Sequence, residues 1–148
     1  MFPNFSRISK TTVVEIISSL LLLLFLYTAL SKAYEFNSFQ GMLAQSPLLR
    51  ANAVLFARLL PVIEILVAAL LFFPRTKLLG LYSSLFLMLV FTLYISYMVI
   101  FFPLLPCSCG GVIKHLSWTQ HIVFNLFFIV LSVIAILFSK NKFKLSLH

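Results

Sequence analysis

Four long runs of apolar residues alternate with short polar segments along the 148-residue chain. The runs cover about 13–33, 52–73, 78–102 and 118–138. Each is long enough to cross roughly 30 Å of hydrocarbon as a helix that rises about 1.5 Å per residue. Because lipid satisfies no backbone polar group, each run is predicted to be a transmembrane helix. The pattern predicts an all-α integral membrane four-helix bundle in a single domain over residues 1–148.

Two longer segments, 34–51 and 103–117, connect these runs. The first carries apolar residues at helical spacing, namely Phe36, Phe39, Met42 and Leu43. This spacing favours a short helix lying in the membrane interface, with an irregular loop as the alternative. Ser117 followed by Gln120 forms the sequence of a capping box, which predicts the start of the fourth spanning helix.

Composition and charge support the membrane assignment. The chain is 62% hydrophobic and 9% charged, far from the balance of soluble domains. The formal charge of +8 comes from short clusters between the apolar runs and not from a continuous basic stripe. We therefore expect the lipid bilayer, and not nucleic acid, to be the acidic neighbour.

The basic residues are distributed unequally between the two sides of the predicted bundle. One side holds Arg7, Lys10, Arg75, Lys77, Lys140, Lys142 and Lys144, whereas the other holds Lys32, Arg50 and Lys114. The positive-inside rule places both termini and the turn at 74–77 in the cytoplasm, and the segments 34–51 and 103–117 outside. The alternative for the first run is a secretory signal ending at Ser31-Lys32-Ala33, which would leave three spans.

The second outer segment contains the only two cysteines, in the sequence Pro106-Cys107-Ser108-Cys109-Gly110-Gly111. Outside the cytoplasm a disulfide can persist, and a Cys-x-Cys bridge closes a very small ring that strain makes easier to reduce. Thiol exchange is therefore the leading hypothesis for this pair. The alternatives are a structural bridge and a metal site that adds His115 and His121 to the two thiolates.

Ionisable residues at membrane depth are the other candidates for function. Arg58 and Glu64 flank Pro61 on the second run, with Glu64 near mid-membrane. On an ideal helix their side chains point about 120° apart, so an ion pair between them is not assured. The two residues are candidates for quinone or proton handling, and equally for a buried pair that fixes helix packing. Lys32 is predicted to snorkel to the outer surface, with the alternative that it is a neighbour of the candidate site on the side of Cys107. Glu15 is predicted to reach the inner surface.

Four polar or aromatic residues of the fourth run, Trp118, His121, Asn125 and Ser132, share one helical face. This face is predicted to point inward. Its polar groups either hold helices together or give a redox pocket in which His121 and Asn125 are candidate catalytic residues beside Cys107 and Cys109.

The cysteine segment, followed by Trp118, His121 and Asn125, resembles the MauE branch of the DoxX-like membrane proteins. Leu30-Ser31-Lys32 and the spacing of Pro61 and Glu64 are also similar to that group. The resemblance implies a four-helix bacterial inner-membrane protein associated with redox chemistry, and the family is linked to maturation of the disulfide-rich methylamine dehydrogenase. Some cousins are tied to quinone-coupled oxidation.

The four-helix thiol enzyme vitamin K epoxide reductase differs from this chain, which has Cys-x-Cys and no second cysteine pair. The leading hypothesis is therefore a membrane redox partner that exchanges a disulfide with a periplasmic client or a thioredoxin-like protein, with quinone as the candidate cofactor. The alternative is a non-enzymatic assembly factor with a structural disulfide. A third hypothesis is a small transporter that uses Glu64 for protons.

Overall fold

The computed structural model describes residues 9–102 and 117–146, with the backbone alone described for Trp118 and residues 142–146. It contains five helices in the described ranges: α1 (Lys10–Tyr34), α2 (Phe36–Gln45), α3 (Ala53–Phe72), α4 (Lys77–Phe101) and α5 (Trp118–Ser146), and a 3₁₀ turn at Arg50–Asn52. All except α2 are long and apolar enough to cross a membrane, which confirms the predicted all-α class with four spanning helices. Helix α5 runs eight residues beyond the end of the predicted apolar run, and three lysines and one leucine in this extension are good helix formers.

The four long helices form a bundle in which α1 packs against α3 and α5, and α4 packs against the same two helices. Neighbouring helices in the chain run antiparallel. The Lys140 ammonium at the end of α5 lies 5.5 Å from the ring centroid of Tyr82 near the start of α4. Large apolar side chains that are fully buried, Leu21, Phe25, Leu71 and Leu81, fill the centre. Many other Leu, Val and Phe side chains face outward, as expected for a surface in contact with lipid.

One end of the bundle collects the described basic residues that the sequence predicts to share a side. The Lys77 ammonium lies 2.6 Å from both carboxylate oxygens of Glu15, joining the start of α4 to α1. The Lys10 ammonium lies 5.8 Å from the Phe138 ring centroid near the end of α5. The turn between α3 and α4 is at this end too, and it is tight: a Cβ on Gly80 would lie 2.8 Å from the backbone nitrogen of Leu71.

The opposite end, called here the α2 end, carries the helix predicted from the Phe36 to Leu43 spacing. That helix is confirmed as α2, so the irregular-loop alternative is wrong. Its apolar residues Phe39 and Leu43 are buried against Ala53 and Ala57 of α3. Helix α2 therefore covers the bundle with its apolar face.

The start of α5 is also at the α2 end and has the predicted capping box. The Gln120 backbone N–H donates to the Ser117 hydroxyl at 3.3 Å, and the Ser117 N–H donates to the Gln120 side-chain oxygen at 3.0 Å. Two backbone donors that a helix start leaves free are thereby paired.

Candidate functional site

A buried ion pair connects α1 to α3. The Lys32 ammonium donates to Oε1 of Glu64, and the two side chains are 9% and 1% exposed. Lys32 follows Leu21 and Phe25 on the buried face of α1 at helical spacing. Glu64 lies on the buried face of α3 that also contains Ala57 and Leu71.

This pairing corrects two predictions. Lys32 does not snorkel outward, because its ammonium turns into the bundle towards Glu64. Arg58 and Glu64 are not brought together, since Arg58 lies on the exposed surface of α3 while Glu64 faces α1. Six residues on one helix separate the two side chains by about 120°, so only one of them can point at α1. The predicted role of Arg58 in a quinone or proton site stays a prediction, without Glu64 as its direct partner.

Two aromatic rings complete the surroundings of the Lys32 ammonium. The ring centroid of Phe91 on α4 lies 5.2 Å from its nitrogen, and that of Phe39 on α2 lies 5.8 Å away. Both distances allow cation–π attraction. The ammonium of Lys32, a residue of α1, thus contacts side chains from α2, α3 and α4.

The polar face of α5 points inward, as predicted. His121, Asn125 and Ser132 are 6%, 4% and 0% exposed. The Ser132 hydroxyl donates to the carbonyl of Phe128 within the same helix at 2.8 Å. His121 and Asn125 are nearer the α2 end, where they face the same space as the ion pair.

That shared space is a cavity of about 200 Å³ with walls from all five helices. Most of its lining is apolar or aromatic. The polar groups in its wall are Thr28, Lys32, Glu64, Tyr94, His121 and Asn125. Helix periodicity predicts the inward face of α5, but the convergence of that face with Lys32 and Glu64 was not predicted.

Two buried atoms in the cavity wall have no hydrogen-bond partner among the described residues. They are Oε2 of Glu64, which accepts hydrogen bonds, and Nδ2 of Asn125, which donates them. Most buried polar atoms in folded proteins are paired, and an unpaired one retains the cost of losing water. The cavity wall therefore has one unpaired hydrogen-bond acceptor and one unpaired hydrogen-bond donor.

The cavity extends towards the end of the bundle where the cysteine-containing segment is attached. Helix α4 ends at Phe101 and α5 begins at Trp118, so both connections of that segment are at the α2 end. Cys107, Cys109 and His115 lie outside the described residues, and the predictions for them stay predictions. Within residues 9–102 and 117–146, no group of three His, Cys, Asp or Glu side chains is arranged to hold a metal ion.

A comparison with protein families gives a match that covers this whole arrangement. The family model described as "Methylamine utilisation protein MauE" matches residues 10–138, from the start of α1 to near the end of α5. The chain belongs to the MauE family. Neither a curated protein nor a solved structure gave a significant match. Family membership and four spanning-type helices together identify a multi-pass membrane protein of the methylamine utilisation type.

Within this MauE-family chain, the pairing of Lys32 with Glu64 is the main feature that the sequence reasoning missed. A signal for it was present, because Lys32 continues the stripe of Leu21, Phe25 and Thr28 along one face of α1. A lysine on that stripe points at the bundle interior and needs a buried partner there.

Proposed function

We propose that this MauE-family protein supports thiol–disulfide exchange with periplasmic client proteins through Cys107 and Cys109. The observation that carries the proposal is the cavity lined by Lys32, Glu64, His121 and Asn125. It extends towards the end of the bundle to which the cysteine segment is attached. Buried ionisable groups inside a membrane bundle are costly and are typical of functional sites.

The proposed location is the bacterial inner membrane with both termini in the cytoplasm and the cysteine segment in the periplasm. The grouping of Lys10, Lys77 and Lys140 at the end opposite to α2 supports this orientation, because basic residues are enriched on the cytoplasmic side. The periplasm is an oxidising compartment in which the cysteine pair can be held as a disulfide.

The proposed exchange balances in two steps. A client thiolate attacks one sulfur of the Cys107–Cys109 disulfide, which forms a client–protein mixed disulfide and releases the other cysteine as a thiolate. A second client thiol then attacks the mixed disulfide, leaving an oxidised client and a reduced cysteine pair. Two electrons pass from client to protein, and the two client thiol protons end on Cys107 and Cys109 or on nearby bases. His121, four residues into α5, is the candidate proton partner.

Repeated turnover requires an acceptor for two electrons, and a membrane quinone supplies this chemistry by accepting two electrons and two protons. The residues of the cavity fit such a group. The free donor of Asn125 and the free acceptor of Glu64 lie in a mostly apolar wall inside the membrane-spanning bundle. Asn125 would bind and orient a carbonyl oxygen, and the apolar wall would exclude water.

Single-cysteine variants test the exchange. Cys107→Ala and Cys109→Ala each leave one thiol. Its thiolate can attack the disulfide of an oxidised client, the reverse of the exchange, which forms a mixed disulfide and releases a client thiolate. Without its second cysteine the protein cannot resolve that bond. We expect at least one of the two variants to trap a client covalently in cells, as a band that disappears on reduction. The double variant Cys107→Ala/Cys109→Ala is the matched control, which should trap nothing.

Other outcomes contradict the proposal. If neither single variant traps a client and both retain the phenotype of the parent, exchange through this pair is wrong. If both lose function without trapping, the alternative gains support, namely a non-enzymatic assembly factor in which the disulfide only stabilises the periplasmic segment.

A further inference from the structure

We propose that the cavity between the five helices is the binding site for the ring of a lipid-soluble quinone. In this site Nδ2 of Asn125 donates to a quinone carbonyl oxygen, and Oε2 of Glu64 accepts from the hydroxyl of the reduced ring. The inference rests on the proposed function, to which it adds the part of the quinone that the cavity holds and the atoms that bind its oxidised and reduced forms. It keeps Glu64 of the predicted quinone or proton site and replaces the exposed Arg58 with the buried Asn125.

The size of the cavity selects a ring-sized ligand. Its volume is about 200 Å³, whereas an apolar cavity of about 150 Å³ binds benzene in another protein. A single substituted ring therefore fits, but a long isoprenoid tail does not. The tail needs a route into lipid, and one wall residue, Val90, is also 42% exposed on the outer surface of α4.

The charge and chemistry of the wall select a neutral ligand. The charges of Lys32 and Glu64 offset each other, so the ion pair attracts neither an anion nor a cation strongly. Phe39, Phe91 and Tyr94 provide aromatic surface, and aromatic rings pack favourably edge-to-face or with offset stacking. A neutral, flat, lipid-soluble molecule matches this wall, whereas a hydrophilic one does not.

The two unpaired polar atoms indicate that the ligand carries oxygen. A plain hydrocarbon ring would leave Asn125 Nδ2 and Glu64 Oε2 without partners. The oxidised quinone pairs with the Asn125 donor, and the reduced form adds a hydroxyl that pairs with the Glu64 acceptor. Water molecules are the rival occupants, since they also donate and accept hydrogen bonds.

A pair of probe molecules separates these possibilities. Duroquinone, a tetramethyl-benzoquinone, has no free ring position to which a thiol could add, and durene is the same ring without the two oxygens. Both are titrated calorimetrically into the full chain in lipid nanodiscs, in the Cys107→Ser/Cys109→Ser background, with empty nanodiscs subtracting partition into lipid. We expect saturable binding of duroquinone and at least tenfold weaker binding of durene, about the worth of one hydrogen bond.

Variants of α5 locate the binding. Asn125→Leu should weaken duroquinone binding by about tenfold and leave durene binding nearly unchanged, because only the hydrogen bond is lost. Ser132→Ala is the matched control: Ser132 lies on the same buried face, but its hydroxyl is already bonded within the helix, and it does not line the cavity. It should bind both probes like the parent.

Three results would overturn the inference: no saturable binding of duroquinone, equal affinities for the two probes, or equal effects of Asn125→Leu and Ser132→Ala. The probe comparison needs no substitution in α5, so it decides the matter even if Asn125→Leu does not fold. The titrations use a chain without cysteines. A negative titration therefore counts against the quinone site alone and says nothing about thiol exchange with clients. Conversely, exchange would be refuted while the cavity assignment stands if quinone binds, neither single-cysteine variant traps a client and both retain the phenotype of the parent.

Discussion

Replacing Lys32 with methionine tests the main electrostatic interaction inside the bundle. The Glu64 side chain is 1% exposed and sits near the middle of α3, so loss of the ammonium leaves its carboxylate buried without a counter-charge. Removing one partner of a buried ion pair costs about 3–5 kcal/mol of unfolding free energy. Both side chains of the pair are less than a tenth exposed, so screening by solvent does not reduce this figure substantially.

The reciprocal change, Glu64→Leu, should cost less. Lys32 lies two residues before the end of α1, which allows its freed ammonium to turn outward to the headgroups. The expected loss of unfolding free energy is therefore smaller than the cost of placing a lysine at the centre of a membrane helix, which is roughly 2.5–3.5 kcal/mol. The double variant Lys32→Met/Glu64→Leu removes both charges together. Its free energy of unfolding should equal or exceed that of the parent, with a shortfall of no more than about 1 kcal/mol.

The assay is unfolding of the detergent-solubilised protein by sodium dodecyl sulfate, followed by circular dichroism. Arg58→Met is the matched control, because it removes an exposed charge from the same helix and should not lower the free energy of unfolding by more than about 0.5 kcal/mol. If the losses of the two single variants simply add in the double variant, to within about 0.5 kcal/mol, the two residues are not coupled. That result would refute the assignment of the ion pair.

Three further predictions use other contacts of the bundle. Gly80→Ala should lower the free energy of unfolding by about 1–3 kcal/mol because its Cβ would meet the backbone of α3, whereas Gly41→Ala, with open space around it, should raise it by about 0.5–1 kcal/mol. Equal effects at the two glycines would contradict the tight α3–α4 turn. Ser117→Ala should cost about 1 kcal/mol and speed amide exchange in the first turn of α5, and unchanged exchange would contradict the capping box. Lys77→Met should cost at most about 1 kcal/mol, because its partner Glu15 is 57% exposed, and a larger loss would show that this pair is more important than its exposure indicates.

Local features of the fold could be predicted because they depend on residues close together in the chain. The capping box needs only Ser117 and Gln120, three residues apart. The inward face of α5 follows from the spacing of His121, Asn125 and Ser132, since polar side chains in a membrane helix avoid lipid.

The partner of Glu64 could not be chosen in the same way. Arg58 is six residues away and Lys32 is 32 residues away, and proximity in sequence favoured the wrong one. Which cation meets the carboxylate depends on how α1 and α3 are rotated against each other. In the folded bundle that rotation places Lys32, and not Arg58, against Glu64.

Length, hydropathy and charge by themselves determined that the chain has four spanning helices and which loops share a side. They did not determine which face of each helix points inward, because lipid accepts Leu and Phe as readily as a bundle core does. The few polar residues carry most of the information about the inward faces. Which of them become neighbours is decided only by how the helices pack. The tertiary structure decided that Lys32, Glu64, His121 and Asn125, from three different helices, line one cavity. An unpaired charge is too costly inside the membrane, so packing that brings these groups together is favoured over packing that leaves them facing lipid.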